Sequence, residues 1–165
     1  MEVGNEFGFV QTYLPQYIIA IRLLIAAAFG AMIGFEREVD SAGAGLRTHI
    51  LVSVAAALFT ILAFEIFHML EGNGASSPRA DPIRAVEAVT AGIAFLGAGA
   101  IFRSGNNMRG LTTGAGMWLA GAVGIASALG YYFVAFGVAL FAVLVLAALR
   151  ALAHQVIARQ DKSNR

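Results

Sequence analysis

The chain is 165 residues long, and 59% of these residues are hydrophobic while only 13% are charged. That charged share is about half of the usual value for a soluble domain, so the composition argues against a soluble globular protein. The net charge of +1 gives no indication of a nucleic-acid partner, and the absence of cysteine excludes disulfides and thiolate metal sites.

Five apolar stretches approach the roughly 20 residues that a helix needs to cross the hydrocarbon core of a bilayer. They predict an all-α fold, an integral membrane bundle of about five transmembrane helices with no room for a separate enzyme domain. The predicted spans are residues 17–35, 48–69, 83–102, 111–129 and 131–152. Residues 1–16 are predicted as a short extracytoplasmic N-terminus, 17–152 as the transmembrane domain, and 153–165 as a short cytoplasmic tail.

The first span contains Arg22 and the third contains Glu87. Residues typical of turns and helix caps lie in the segments between the spans. Asp81 followed by Pro82 predicts the start of the third helix, because Asp is a good N-cap and Pro suits the first helical position. The third span is rich in Gly and Ala, which predicts that it is buried within the bundle. A tight turn near Gly130 predicts that the fourth and fifth spans form an antiparallel hairpin.

Small residues recur at every fourth position in two of the predicted helices. They are Gly30 and Gly34 in the first span, and Gly116, Ala120, Gly124 and Ala128 in the fourth. Small residues at this spacing let helix backbones approach closely. They predict close packing either within the chain or between copies in a homo-oligomer, and both remain open.

The distribution of Lys and Arg predicts the orientation in the membrane. Eight of these residues flank the spans on the side of the first loop, the third loop and the C-terminus, and two lie on the other side. Because cytoplasmic loops carry the excess of basic residues, we expect the N-terminus outside and the C-terminus in the cytoplasm of a bacterial inner membrane.

An internal repeat is suggested by two similar segments that open the second and fourth spans. These are residues 45–48 (GLRT) and 110–113 (GLTT), and Arg22 and Glu87 each precede one of them by 23 residues. The pattern predicts a parallel repeat of two hairpins, with coincidence in a Gly- and Leu-rich sequence as the alternative. Since a charge inside a bilayer needs a partner, the repeat also predicts a structural Arg22–Glu87 ion pair.

Polar residues cluster in the first and third loops, on the predicted cytoplasmic side. The candidate functional cluster consists of Glu36, Arg37, Arg47, Thr48, Asn107, Arg109, Thr112 and Thr113. Oxygen ligands for Mg²⁺, the one cofactor considered, are offered by Glu36, Glu38, Asp40 and Asn107. The arginines favour an anion, a lipid headgroup or an internal salt-bridge network instead, so the identity of any metal stays open. For Glu38 and Asp40, anchoring and capping are the preferred interpretation.

Four ordered stretches carry a further signal: residues 33–38 (IGFERE), 44–49 (AGLRTH), 92–101 (GIAFLGAGAI) and 107–118 (NMRGLTTGAGMW). In this order and spacing they resemble the MgtC/SapB family of bacterial inner-membrane proteins. The resemblance covers about residues 22–124, which lie within the N-terminal transmembrane domain of the family. Its best-known members continue into a soluble C-terminal domain, whose function is not expected here. Gly114 and Gly116 stand where the family more often has Ala or another residue with a side chain, which predicts a looser start of the fourth helix.

The resemblance implies a non-enzymatic role in adaptation to low Mg²⁺ and, in some bacteria, in survival inside host cells. It also implies that the protein regulates another membrane protein, with the proton-driven ATP synthase as one candidate. The alternative is a small transporter or channel for Mg²⁺ or another cation. A lipid- or anion-binding module is a third hypothesis, based on the arginines at the cytoplasmic interface.

Overall fold

The computed structural model is a bundle of five long helices with one short β-hairpin. It describes residues 12–39, 43–72, 81–104 and 107–163, without the side chains of residues 103, 104, 107 and 152–163. The elements are α1 (Gln16–Val39), α2 (Leu46–Gly72), α3 (Pro82–Ala100), β1 (Phe102–Ser104), β2 (Asn107–Arg109), α4 (Leu111–Ala128) and α5 (Tyr132–Ser163).

Each of the five helices is long and apolar enough to cross a membrane, α5 through its first part, Tyr132–Ala151. The predicted all-α membrane bundle of five spans is therefore confirmed. The hairpin β1–β2 was not predicted, although two three-residue strands separated by Gly105 and Asn106 carry a known hairpin signal. It forms the link between α3 and α4 and does not change the fold class.

Side-chain contacts define two ends of the bundle. At one end the last turn of α1 meets α5 through Glu36 and Arg150, and the start of α2 lies beside the start of α4. We call this the Glu36 end. At the other end, Arg22 of α1 contacts the last turn of α4. We call this the Arg22 end.

The helix at the centre of the bundle is α4, and it packs against all the others. More than half of its residues are buried, whereas α3 buries only Ile93 and Gly97 and leaves Phe95 80% exposed. The prediction that α3 is the buried helix was therefore wrong. Apart from Gly97, its Gly and Ala residues are exposed or partly exposed, and the apolar surface around them is suited to contact with lipid.

The small residues of α1 and α4 serve packing within the chain. A Cβ atom on Gly34 would lie 2.8 Å from Cα of Leu46, and one on Gly124 would lie 2.9 Å from the carbonyl carbon of Ser53. Neither distance is tolerable for a real Cβ atom, so both positions require glycine at the present helix spacing. The spacing of the small residues left packing within the chain and packing between copies open. These contacts show packing within the chain, between α1, α2 and α4.

The predicted Arg22–Glu87 ion pair is not formed. Arg22 Nη1 donates a hydrogen bond to the carbonyl oxygen of Ala128, while Glu87 is exposed on α3. The guanidinium group thus neutralises the negative C-terminal end of α4, where free carbonyl groups and the helix dipole favour a cation. Arg22 and Glu87 were expected to pair because they were predicted to lie at similar depth in the membrane. They do not meet because α1 packs against α2 and α4 and makes little contact with α3.

Hydrogen bonds from side chains mark two other helix boundaries. The Asp81 carboxylate accepts a hydrogen bond from the Ile83 amide at 2.9 Å, with Pro82 in the first turn, as predicted for the start of α3. Before α1, the Glu65 carboxylate accepts hydrogen bonds from the amides of Tyr13 and Leu14 at 2.7 and 2.9 Å.

Both α1–α2 and α3–α4 are antiparallel pairs of helices. The internal repeat that would relate one pair to the other stays a prediction.

Candidate functional site

A buried carboxylate lies between two arginines at the Glu36 end. Glu36 is 6% exposed and Arg37 4% exposed, although both belong to the last turns of α1. One carboxylate oxygen of Glu36 lies 3.7 Å from Nε of Arg37, and the other lies 3.6 Å from Nη1 of Arg150 on α5. Both are ion pairs beyond hydrogen-bond distance, and the one with Arg150 joins α1 to α5.

A fully buried histidine from α2 completes this buried group. Nδ1 of His49 lies 2.8 Å from the Gly45 carbonyl oxygen. Because a carbonyl oxygen only accepts, Nδ1 carries the proton of this hydrogen bond, and Nε2 is the acceptor nitrogen whenever the ring is neutral. Nε2 makes no hydrogen bond within the described residues. We call Glu36, Arg37, His49 and Arg150 the buried charged cluster.

Glycines on two helices allow His49 to reach this position. Gly30 and Gly34 bring α2 against α1, since Cβ atoms there would lie 2.7 Å from the His49 carbonyl oxygen and 2.9 Å from its Cβ. A Cβ atom on Gly116 of α4 would lie 3.0 Å from Nε2 of His49. Helix α4 is regular through this region, so the glycines predicted to loosen its start instead make room for His49 and for α3.

The remaining predicted residues lie around the buried charged cluster with different exposure. Thr113 is buried in the first turn of α4, and Thr48 is partly buried. Arg47, Arg109 and Thr112 are exposed. The side chain of Asn107 lies outside the described residues. The predicted functional cluster therefore divides into a buried part, which holds helices together, and an exposed part, which we call the arginine face (Arg47, Arg109 and Thr112).

The carboxylates considered for Mg²⁺ have other partners in the structure. Glu36 is paired with arginines, and Glu38 Oε2 accepts a hydrogen bond from the Leu46 amide at 2.9 Å, so it caps the start of α2. Asp40 and the Asn107 side chain lie outside the described residues. Among the side chains that are described, no group of three or more His, Asp or Glu residues is arranged to hold a metal ion.

Sequence reasoning missed His49, which looked like an isolated histidine. Its position one residue after Thr48 in the second span gave no reason to expect burial beside an arginine. The signal was present on the facing helix, because Gly30 and Gly34 are four residues apart and mark the strip against which α2 packs. Arg150 was counted only for orientation, although it lies on the same end as Glu36.

Five membrane-spanning helices with buried charges at the bundle ends define a multi-pass membrane protein. The model of the MgtC family matches residues 23–155. The chain belongs to the MgtC family, and it is therefore a bacterial membrane protein.

Individual relatives agree with this assignment. The chain is 41% identical over 130 residues to Protein MgtC of Brucella abortus, covering 78% of this chain and 50% of the relative. It is 39% identical over 115 residues to "Putative magnesium transporter YhiD" of Escherichia coli K12, covering 68% and 51%. Protein MgtC of Salmonella typhimurium is 38% identical over 112 residues, covering 68% and 44%. The chain thus spans about half the length of these relatives. No solved structure gives a significant match.

Proposed function

We propose that this chain is a non-enzymatic inner-membrane protein that takes part in adaptation to low Mg²⁺ by regulating another membrane protein. In this proposal the Glu36 end faces the cytoplasm, and the arginine face contacts the partner, for which the ATP synthase is one candidate. The family membership and the Mg²⁺-related name of a relative support the link to Mg²⁺. A role in virulence would be one setting of the same function.

The observation that favours regulation over transport is the apolar interior of the bundle. Between the two ends, the described core consists mainly of Ala, Val and Ile side chains from all five helices. Two of its buried hydroxyl groups, Thr60 and Ser127, donate hydrogen bonds to carbonyl oxygens of their own helices at 2.7 and 2.8 Å. Because an ion crossing a bilayer needs a polar path, this interior supports a protein that acts by contact.

The second candidate function is a transporter or channel for Mg²⁺ or another cation. It is supported by the printed name of the Escherichia coli relative. In a single copy the charges of the described residues lie near the ends, with Arg22 at one end and Glu36 and Arg37 at the other. A transporter would therefore need a path between copies in a homo-oligomer.

The test is complementation of growth. The chain is expressed in a bacterium that lacks its own MgtC-family gene and grows poorly at low Mg²⁺. We expect it to restore growth, and we expect the double variant Arg47→Ala/Arg109→Ala to lose this effect at equal membrane abundance, because the arginine face contacts the partner. Glu71→Ala, an exposed charge at the Arg22 end, is the matched control and should restore growth.

Failure of the unaltered chain to restore growth would contradict the link to low Mg²⁺. Restoration by both variants would keep that link and reject the arginine face as the contact surface.

A further inference from the structure

An apolar groove runs along the outside of the bundle between α2 and α3. Its volume is about 640 Å³, and nearly all of its lining surface is apolar. The wall from α2 extends from Val52 to Ile66, and the wall from α3 extends from Ala85 to Leu96. At 1.5 Å per residue these walls are about 16–21 Å long, which exceeds the roughly 15 Å of hydrocarbon in one leaflet.

The width of the groove limits what can occupy it. Spread over that length, a volume of about 640 Å³ corresponds to a path roughly 6–7 Å wide for the centre of a water-sized sphere, so the walls lie roughly 9–10 Å apart. A helix with its side chains is about 10–12 Å wide, so a partner helix would lie over the groove and would not fill it. A single methylene chain fits this width, and the apolar lining matches its chemistry.

A cation lies at the mouth of the groove. Arg84 is exposed in the first turn of α3, directly before Ala85 and four residues before Ala88, both of which line the groove. In the described part of the chain no ion pair engages its guanidinium group. The Asp81 carboxylate nearby is engaged with the Ile83 amide. Arg84 is thus placed to pair with a phosphate at the membrane interface.

We propose that the α2–α3 groove binds one phospholipid, with an acyl chain along the groove and the phosphate paired with Arg84. The occupant lies in the leaflet at the Arg22 end. This site is separate from the buried charged cluster and the arginine face, and it does not depend on the function proposed above. It gives the exposed, Gly- and Ala-rich face of α3 a specific ligand.

Photo-crosslinking tests this proposal. The protein is placed in nanodiscs with phosphatidylglycerol that carries a diazirine in one acyl chain, and labelled residues are identified by mass spectrometry. We expect labelling to concentrate on residues 52–66 and 85–96, above the level on the outward face of α5 around Phe133 and Phe141. A diacylglycerol with the same diazirine chain but no phosphate should label the groove less.

Two glycines of α3 supply matched variants. A Cβ atom on Gly92 or on Gly99 would meet no other atom within 4 Å, so a side chain can begin at either position without a clash at Cβ. Gly92 lines the groove and Gly99 does not. Gly92→Leu should reduce groove labelling to the level of α5, whereas Gly99→Leu should leave it unchanged. Arg84→Gln should lower labelling by the phospholipid about fivefold, and labelling by the diacylglycerol should not change.

Equal labelling of the groove and of α5 would overturn the proposal, because it would indicate ordinary contact with bulk lipid. Unchanged labelling in Gly92→Leu would do the same. Crosslinks between two copies through α2 and α3, formed by a bifunctional reagent and lost in Gly92→Leu, would show that a second copy covers the groove and would also overturn it.

Discussion

Replacing Glu36 with glutamine is expected to lower the free energy of unfolding by about 3–5 kcal/mol, which is the usual cost of removing one partner of a buried ion pair. The substitution removes the charge that lies between Arg37 and Arg150 while both guanidinium groups remain. Unfolding in detergent micelles, followed by far-ultraviolet circular dichroism, measures the change.

Two substitutions provide the comparison. Arg150→Gln should cost less, about 0–1 kcal/mol, because its side chain is 32% exposed and its ion pair is partly solvated. Glu87→Gln changes an exposed carboxylate on α3 and should stay within about 0.5 kcal/mol of the unaltered protein. Equal stability of the Glu36 and Glu87 variants would contradict the role of the buried charged cluster in joining α1 to α5.

Replacing Gly124 with alanine is expected to destabilise the bundle by about 1–3 kcal/mol, the usual cost of overpacking a core. The new Cβ atom would lie 3.0 Å from Cα of Ser53 and closer still to the carbonyl group, so α2 and α4 must separate. Backbone atoms cannot move aside as a flexible side chain would. The same unfolding measurement detects the loss.

The control for this prediction is Gly137→Ala on α5. A Cβ atom there would meet nothing within 4 Å, so the substitution only improves the helix propensity and should stabilise by up to about 1 kcal/mol. The change in the free energy of unfolding is therefore expected to have opposite signs in Gly124→Ala and Gly137→Ala. A stabilising effect at both positions would show that α2 and α4 do not pack as closely as described.

The sequence predicted the five spans well, because the length of an apolar stretch depends on the bilayer and hardly on tertiary contacts. The boundary at Asp81 and Pro82 was also predictable, since capping is a local property. Burial was harder. Helices α3 and α4 have similar shares of Gly and Ala, yet most of these residues are exposed in α3 and most are buried in α4. Composition alone does not tell which small-residue face is covered.

The candidate site was predicted in part. Glu36, Arg37 and Thr113 were identified from their positions at helix ends, and the structure buries all three at the Glu36 end. The partners His49 and Arg150 were missed because each comes from a different helix, and contacts between helices are not visible in local spacing. The Arg22–Glu87 pair was wrong for a related reason, since equal depth says nothing about which helices are neighbours.

Measurement of Mg²⁺ entry into liposomes that contain the purified protein tests most directly whether it regulates by contact or transports an ion. A trapped Mg²⁺ indicator reports entry, protein-free liposomes give the baseline, and an ionophore gives the maximum. The apolar interior predicts no entry above the baseline, for the unaltered protein and for Arg109→Ala alike. Entry that requires the protein and falls in Arg109→Ala would contradict the account and favour a transporter.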